Sequence, residues 1–206
     1  MHPDGGIPRI HCVNKFLLKN GVLFFEPNFL SSAEATNLFA NLLEETQWQQ
    51  QAIQLFGKKV NLPRLTAWYG TPGIEYEYSG IRVSAQTWTD PLLVIKEHLE
   101  EVFSATFNSV LINRYRDGND SVAWHADDEA SLGVDPTIAS VSVGATRRFT
   151  MKHRFQKSEK FALDLTHGSA LLMSGATQHY WLHKIPKTRK VVGQRINLTF
   201  RNILGC

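Results

Sequence analysis

The segment Trp124-His125-Ala126-Asp127 sets an imidazole and a carboxylate at positions i and i+2. In an extended chain such residues project to the same face, so both side chains can reach one metal ion. A third ligand has to arrive from another element. His183, in Trp181-Leu182-His183-Lys184-Ile185-Pro186, stands at the end of a later predicted strand, with His179 as a competitor for the same role. Two imidazoles and one carboxylate leave three adjacent positions open on an octahedral ion. Non-haem Fe(II) oxygenases hold a cosubstrate and O2 together in this way. Zinc accepts the same ligands for hydrolysis, and a lone His-x-Asp also occurs on ordinary surfaces, so the triad alone does not choose the metal.

The stretch Arg195-Ile196-Asn197-Leu198-Thr199-Phe200-Arg201 bears on that choice. Its polar residues alternate on one face of a strand and its apolar residues on the other. Any half-exposed strand alternates, but two arginines pointing into a barrel mouth suit a dicarboxylate, because guanidinium binds carboxylate bidentately. A hydrolase has no need of such a group.

These residues need elements to carry them. Gly21–Phe25 reads as a strand. Ser31 and Glu34 have capping-box spacing ahead of the stripe Leu38, Phe39, Leu42 and Leu43, which predicts a helix over about 32–46. Asp90-Pro91, read as an N-cap with proline at N1, opens a second helix with Leu92, Ile95, Leu99 and Val102 on its apolar face. Short β-branched and aromatic runs follow: 110–115, 138–143, 148–153, 161–165, 170–173, 179–182 and 195–200. Two helices leading into such a series predict an α+β, mainly β domain, a jelly roll (double-stranded β-helix) backed by two helices. The first ~20 residues, mixed in character, are expected to be loosely held.

Composition sets wider bounds. A chain of 206 residues with 43% hydrophobic and 20% charged residues fits one globular domain. No apolar run is long enough for a membrane span, and the N-terminus lacks a secretory signal's apolar block. Two cysteines, Cys12 and Cys206, do not make a disulfide framework, so a reducing compartment is the expectation. A net charge of +3 permits a polyanionic partner without requiring one, although Lys184, Lys187, Arg189 and Lys190 form one basic group and Lys58, Lys59 and Arg64 another.

Taken together, Asn113-Arg114-Tyr115, His125-x-Asp127-Asp128-Glu129, Ile138-Ala139-Ser140-Val141-Ser142, Gly144-Ala145-x-Arg147, His183 and Arg195-x-Asn197-x-Thr199-Phe200-Arg201 resemble the AlkB family of nucleic-acid dealkylases, from about Pro63 to Ile203. The resemblance implies a single catalytic domain over 1–206, with a jelly-roll core over about 109–203 and a nucleotide-recognition lid over about 50–82. It implies Fe(II) on His125, Asp127 and His183, and 2-oxoglutarate held by Arg195 in a pocket lined by Asn113, Tyr115, Asn197, Thr199 and Arg201. With O2 these would oxidise an N-alkyl carbon of a damaged base, releasing succinate, CO2 and an aldehyde.

The family's substrate is a base flipped out of the stack, since a base inside a duplex cannot reach buried iron. The resemblance implies that Tyr76 and Tyr78 hold it against His125, while Asp128 and Glu129 face its polar edge and favour cationic lesions such as 1-methyladenine or 3-methylcytosine. Arg64 belongs to the same lid, and Leu55-Phe56-Gly57-Lys58 resembles a finger that fills the vacated stack. The closest likeness is to the DNA-repair homologues that act on double- and single-stranded DNA. RNA is the alternative polymer, and a catalytically inactive nucleic-acid-binding module the alternative class. A monomer is expected, in the cytoplasm of a bacterium or the nucleus of a eukaryote, neither secreted nor in a membrane.

Overall fold

In the computed structural model the described residues are 11–55, 57–78 and 81–204, of which 55, 75–78 and 81–84 are described by backbone alone. The chain opens on an antiparallel pair, β1 (Asn14–Leu18) and β2 (Gly21–Glu26). The expectation of a loosely held start is thus corrected for 14–18. As an edge strand β1 is largely exposed, so it carries no hydrophobic period to betray it. Helix α1 (Ser32–Glu45) begins as predicted: Ser31 Oγ accepts from the Glu34 amide at 3.3 Å, and the Glu34 carboxylate accepts from the Ser31 amide at 2.7 Å.

Two small hairpins and a short connecting strand come next. β3 (Ala52–Leu55) pairs with β4 (Lys58–Asn61), β5 (Leu65–Gly70) enters the main sheet, and β6 (Glu75–Tyr78) pairs with β7 (Ile81–Ser84). β8 (Gln86–Thr87) runs parallel to β5. Helix α2 (Asp90–Phe103) has Thr89, not Asp90, at its N-cap, and no side chain caps it. Proline in the first turn leaves one fewer amide there to satisfy.

The remaining chain is β9 (Ser109–Tyr115), β10 (Val122–His125), β11 (Ile138–Gly144), β12 (Arg147–His153), β13 (Lys160–Leu165), β14 (Ser169–Ser174), helix α3 (Thr177–Tyr180), β15 (Trp181–Ile185) and β16 (Arg195–Arg201). The expected strand over 179–182 begins only at Trp181. Thr177 and Gln178 are fully buried, and Thr177 Oγ donates to the Ser174 carbonyl at 2.5 Å. A helical turn after Gly175 lets both side chains point inward, which the alternation of a strand would forbid.

The major sheet runs β1-β2-β14-β11-β16-β9-β5-β8 and the minor sheet β10-β15-β12-β13, which together form the predicted jelly roll. Strands β1, β2, β5 and β8 extend it beyond residues 109–203. They also correct the expected lid, because β5 lies inside the 50–82 stretch yet carries buried Ala67, Trp68 and Tyr69. Helices cover one face of the major sheet: Leu38 and Leu42 of α1 and Leu92, Ile95 and Leu99 of α2 pack over Ile112, Val141, Leu198 and Phe200. Each such fully buried Leu or Ile contributes roughly 1.5–3 kcal/mol. A second core, with Leu111, Leu171 and Met173 facing Phe149, Met151 and Trp181, fills the space between the sheets.

Candidate metal centre

Three layers leave β16 covered on both faces, and all seven of its residues are buried. Ile196, Leu198 and Phe200 enter the helix-facing core, so Arg195, Asn197, Thr199 and Arg201 are turned into the cleft between the sheets. The opposite wall comes from β10 and β15, which pair antiparallel with His125 opposite His183. Between Val122 and His125 the register slips by one residue against β15. Such a bulge re-aims the side chain that follows it.

The ligand-capable atoms of His125, Asp127 and His183 all lie within 4.8 Å of one another. The His125 and His183 rings are 4.2 Å apart between centroids, and His183 Nε2 is 3.7 Å from Asp127 Oδ2. His125 Nδ1 sits 2.9 Å from the Ala123 carbonyl, which makes it the donor and leaves Nε2 unprotonated for a metal. Burial depresses His183 to about 3, helped by the neighbouring His125, so it is neutral and available near neutral pH. Burial alone would raise the Asp127 carboxyl. Arg201 and the two histidines outweigh it and hold the group well below the usual carboxylate range. The competitor His179 pairs instead with Asp135 at 3.0 Å on the surface, which settles which distal histidine joins the cluster.

The same cleft contains a buried cation of a different kind. Arg195 is 1% exposed; its Nη2 donates to Ser142 Oγ at 2.8 Å and Asn197 Oδ1 at 2.7 Å. Its Nε and Nη1 are buried with no hydrogen-bond partner. Among the described residues no carboxylate pairs with it. Burial lowers its pKa to about 10, still far above neutral, so it stays charged. A buried charge with two of its three nitrogens idle costs several kcal/mol unless a ligand satisfies it.

Around Arg195 the predicted pocket residues fall into distinct tasks. Asn197 accepts from Ser140 Oγ at 2.8 Å as well as from Arg195, and donates to Thr199 Oγ at 2.7 Å, so this chain of bonds fixes the guanidinium. Tyr115 lies beneath Arg195, whose guanidinium is 5.0 Å from the ring centroid. Asn113 accepts from Arg64 Nε at 2.7 Å, which draws Arg64 to this pocket, although its place in the sequence puts it with the expected lid. Arg201 Nη2 donates to Asp127 Oδ1 at 2.7 Å, so it orients a metal-site carboxylate as well as lining the pocket.

The substrate-side predictions fare unevenly. Asp128 is exposed and pairs with Arg154 at 2.6 Å, and Glu129 is half-buried with Oε2 enclosed and unpartnered. The two are not brought into the central pocket. Phe56 lies outside the described residues, as do the side chains of Tyr76 and Tyr78. The sequence marks Ser140 and Ser142 as part of a motif without giving them a task, and does not mark Gln178. The serines share a face of β11, so the period-2 rule could have supplied that task; Gln178, which accepts from the Asp127 amide at 3.0 Å, gave no signal.

Residues 22–201 match the sequence model of the 2OG-Fe(II) oxygenase superfamily. A human protein named DNA oxidative demethylase ALKBH2 is 41% identical over 182 residues, 84% of this chain and 70% of the relative. A bovine alpha-ketoglutarate-dependent dioxygenase alkB homolog 3 is 41% identical over 186 residues, 86% of this chain but 64% of the relative, so this chain spans about two thirds of their length. The solved structure of OsALKBH1 superposes with a TM-score of 0.66 at 14% identity, over 93% of this chain and 100% of that one.

Proposed function

The chain belongs to the 2OG-Fe(II) oxygenase superfamily and, within it, to the AlkB family; on that premise we propose that it repairs DNA by oxidative removal of alkyl groups from damaged bases. The observation that carries this reading is Arg195: a buried cation with idle donors opens into the same cleft as two histidines and an aspartate. Asp127 is already neutralised by Arg201, and His183 is uncharged. The cleft therefore accepts a divalent cation together with an anion, and Arg195 asks for a carboxylate.

Fe(II), 2-oxoglutarate and O2, when bound, supply oxidation of the N-alkyl carbon, with succinate, CO2 and, from a methyl group, formaldehyde as products. The protein supplies placement and electrostatics. His125, Asp127 and His183 hold the metal. Arg195 binds the distal carboxylate of 2-oxoglutarate, with Ser142 and Asn197 keeping its guanidinium aimed and Asn113, Tyr115 and Thr199 forming the walls. Arg201 keeps Asp127 ionised and fixed.

His125, partly exposed where the other two ligands are buried, marks the side from which the base enters. There Tyr76 and Tyr78 hold the flipped base, Asp128 and Glu129 face its polar edge from outside the central pocket, and Phe56 fills the gap left in a duplex. The enzyme acts as a monomer on duplex and single-stranded DNA, in the cytoplasm of a bacterium or the nucleus of a eukaryote. No helix among the described residues is long and apolar enough to cross a membrane.

The test is release of succinate and formaldehyde from a 3-methylcytosine duplex, with and without Fe(II), beside the matching RNA. Stoichiometric products on DNA only with Fe(II) are expected. Turnover confined to RNA would change the polymer, and no turnover on either would sink the assignment.

A further inference from the structure

Arg147 has no part in the cleft's chemistry, yet it is 3% exposed and makes three hydrogen bonds to backbone carbonyls. Nη1 donates to Asp117 at 3.1 Å, and Nη2 to Asp120 at 2.9 Å and Pro186 at 2.7 Å. These carbonyls belong to two segments, the turn after β9 and the loop after β15. Its guanidinium also lies over the Tyr115 ring, 5.5 Å from the centroid, on the ring that Arg195 covers at 5.0 Å. One side chain thus touches the cosubstrate wall and the base of the loop bearing exposed Lys187, Arg189 and Lys190.

A second contact locks that loop to the same turn. The Thr188 amide donates to the Gly118 carbonyl at 2.9 Å, and a Cβ on Gly118 would come within 2.4 Å of the Thr188 carbonyl oxygen. The nearest atoms to such a Cβ all belong to the loop, whereas Arg147 contacts the loop, the turn and Tyr115.

We propose that Arg147 is a positioning residue shared by the two halves of the site, fixing Tyr115 beside Arg195 and holding the cationic 186–190 loop on the turn after β9. It rests on the reading of the cleft as a 2-oxoglutarate pocket. Lysine keeps the charge but lacks the planar fork that reaches three carbonyls, so Arg147→Lys should behave as a partial loss and Arg147→Met as a full one.

The experiment measures two affinities without turnover: 2-oxoglutarate on manganese(II)-loaded protein by calorimetry, and a methylated single-stranded oligonucleotide by fluorescence anisotropy over a salt series. Arg147→Met should weaken 2-oxoglutarate roughly tenfold, the scale of a lost desolvated cation–aromatic contact. It should also weaken the oligonucleotide, with a shallower salt dependence as loop cations lose their placement. Gly118→Ala should weaken only the oligonucleotide.

Unchanged 2-oxoglutarate affinity in folded Arg147→Met overturns the proposal, as does an equal loss in Gly118→Ala, which would be general loosening. Should the methionine variant fail to fold, Arg147→Lys decides by the same titrations. Wild-type protein that binds no 2-oxoglutarate overturns the parent reading too; wild type that binds it, with the Arg147 variants unchanged, overturns this one alone.

Discussion

Along β16 all seven residues are buried, two arginines among them; along β4 all four are exposed, two lysines among them. The first strand is covered by helices on one side and the minor sheet on the other, so each polar group on it needs a partner in a fixed place. Arg201 has Asp127, Asn197 has three partners, and Arg195, which lines the cleft, holds Ser142 and Asn197 through Nη2 while Nε and Nη1 stay idle. The second strand belongs to a two-stranded hairpin that joins neither large sheet. Chemistry that fails if displaced by an ångström sits where misplacement costs several kcal/mol, and the substrate contact proposed for the hairpin sits where the chain can change at little cost. The contrast predicts that substitutions in the buried region act on every substrate alike, and those in the hairpin on some substrates only.

The largest effect should come from the proposed metal ligands. His125→Ala or Asp127→Ala removes one of three protein ligands, and turnover should vanish on duplex and single strand while circular dichroism keeps the fold. Substantial dealkylation by either purified variant would refute the assignment. His183→Ala should match them and His179→Ala should be near wild type, since His179 pairs with Asp135 on the surface. The reverse result would mean that the wrong distal histidine had been assigned.

Next comes Arg195→Ala. A buried charge-assisted pair lost in this way costs on the order of 2–5 kcal/mol, or roughly thirty- to several-thousand-fold in affinity. The 2-oxoglutarate requirement should rise by that factor while the affinity for DNA barely moves. A 2-oxoglutarate titration identical to wild type would place the carboxylate elsewhere.

Much of the buried region was legible in the sequence, for a physical reason. A strand with one apolar and one polar face announces both, and Arg195 to Arg201 alternate so strictly that the cleft-facing side chains can be named in advance. The capping box at Ser31 and the apolar stripes of the helices are equally local signals. Elements that depend on distant partners were not legible. β1 is an edge strand with no period, Gln178 reaches Asp127 from a turn, and β5 looks like part of a lid because both of its faces are covered. Asp128 shows the same limit, since its partner Arg154 lies just past the end of β12.

The smallest effect is the one that tests the hairpin half of the comparison. Flipping a base from a duplex leaves a hole whose lost stacking costs a few kcal/mol. An aromatic side chain that enters the hole recovers part of this, since aromatic–base stacking is worth ~1–3 kcal/mol. Phe56 falls in sequence between β3 and β4. Its neighbour Gly57 has a left-handed φ of 76°, and among the described residues nothing lies within 4 Å of where its Cβ would stand. A single strand has no opposing stack to preserve, so the aromatic ring has little to do there. Phe56→Ala should lower repair of a methylated duplex by about tenfold while single-strand repair changes only slightly. Lys58→Ala should follow the same trend more weakly, through one phosphate contact. Equal losses on both substrates would make Phe56 a packing residue of the buried kind, and the division between the two regions would fail at the point where it was drawn most sharply.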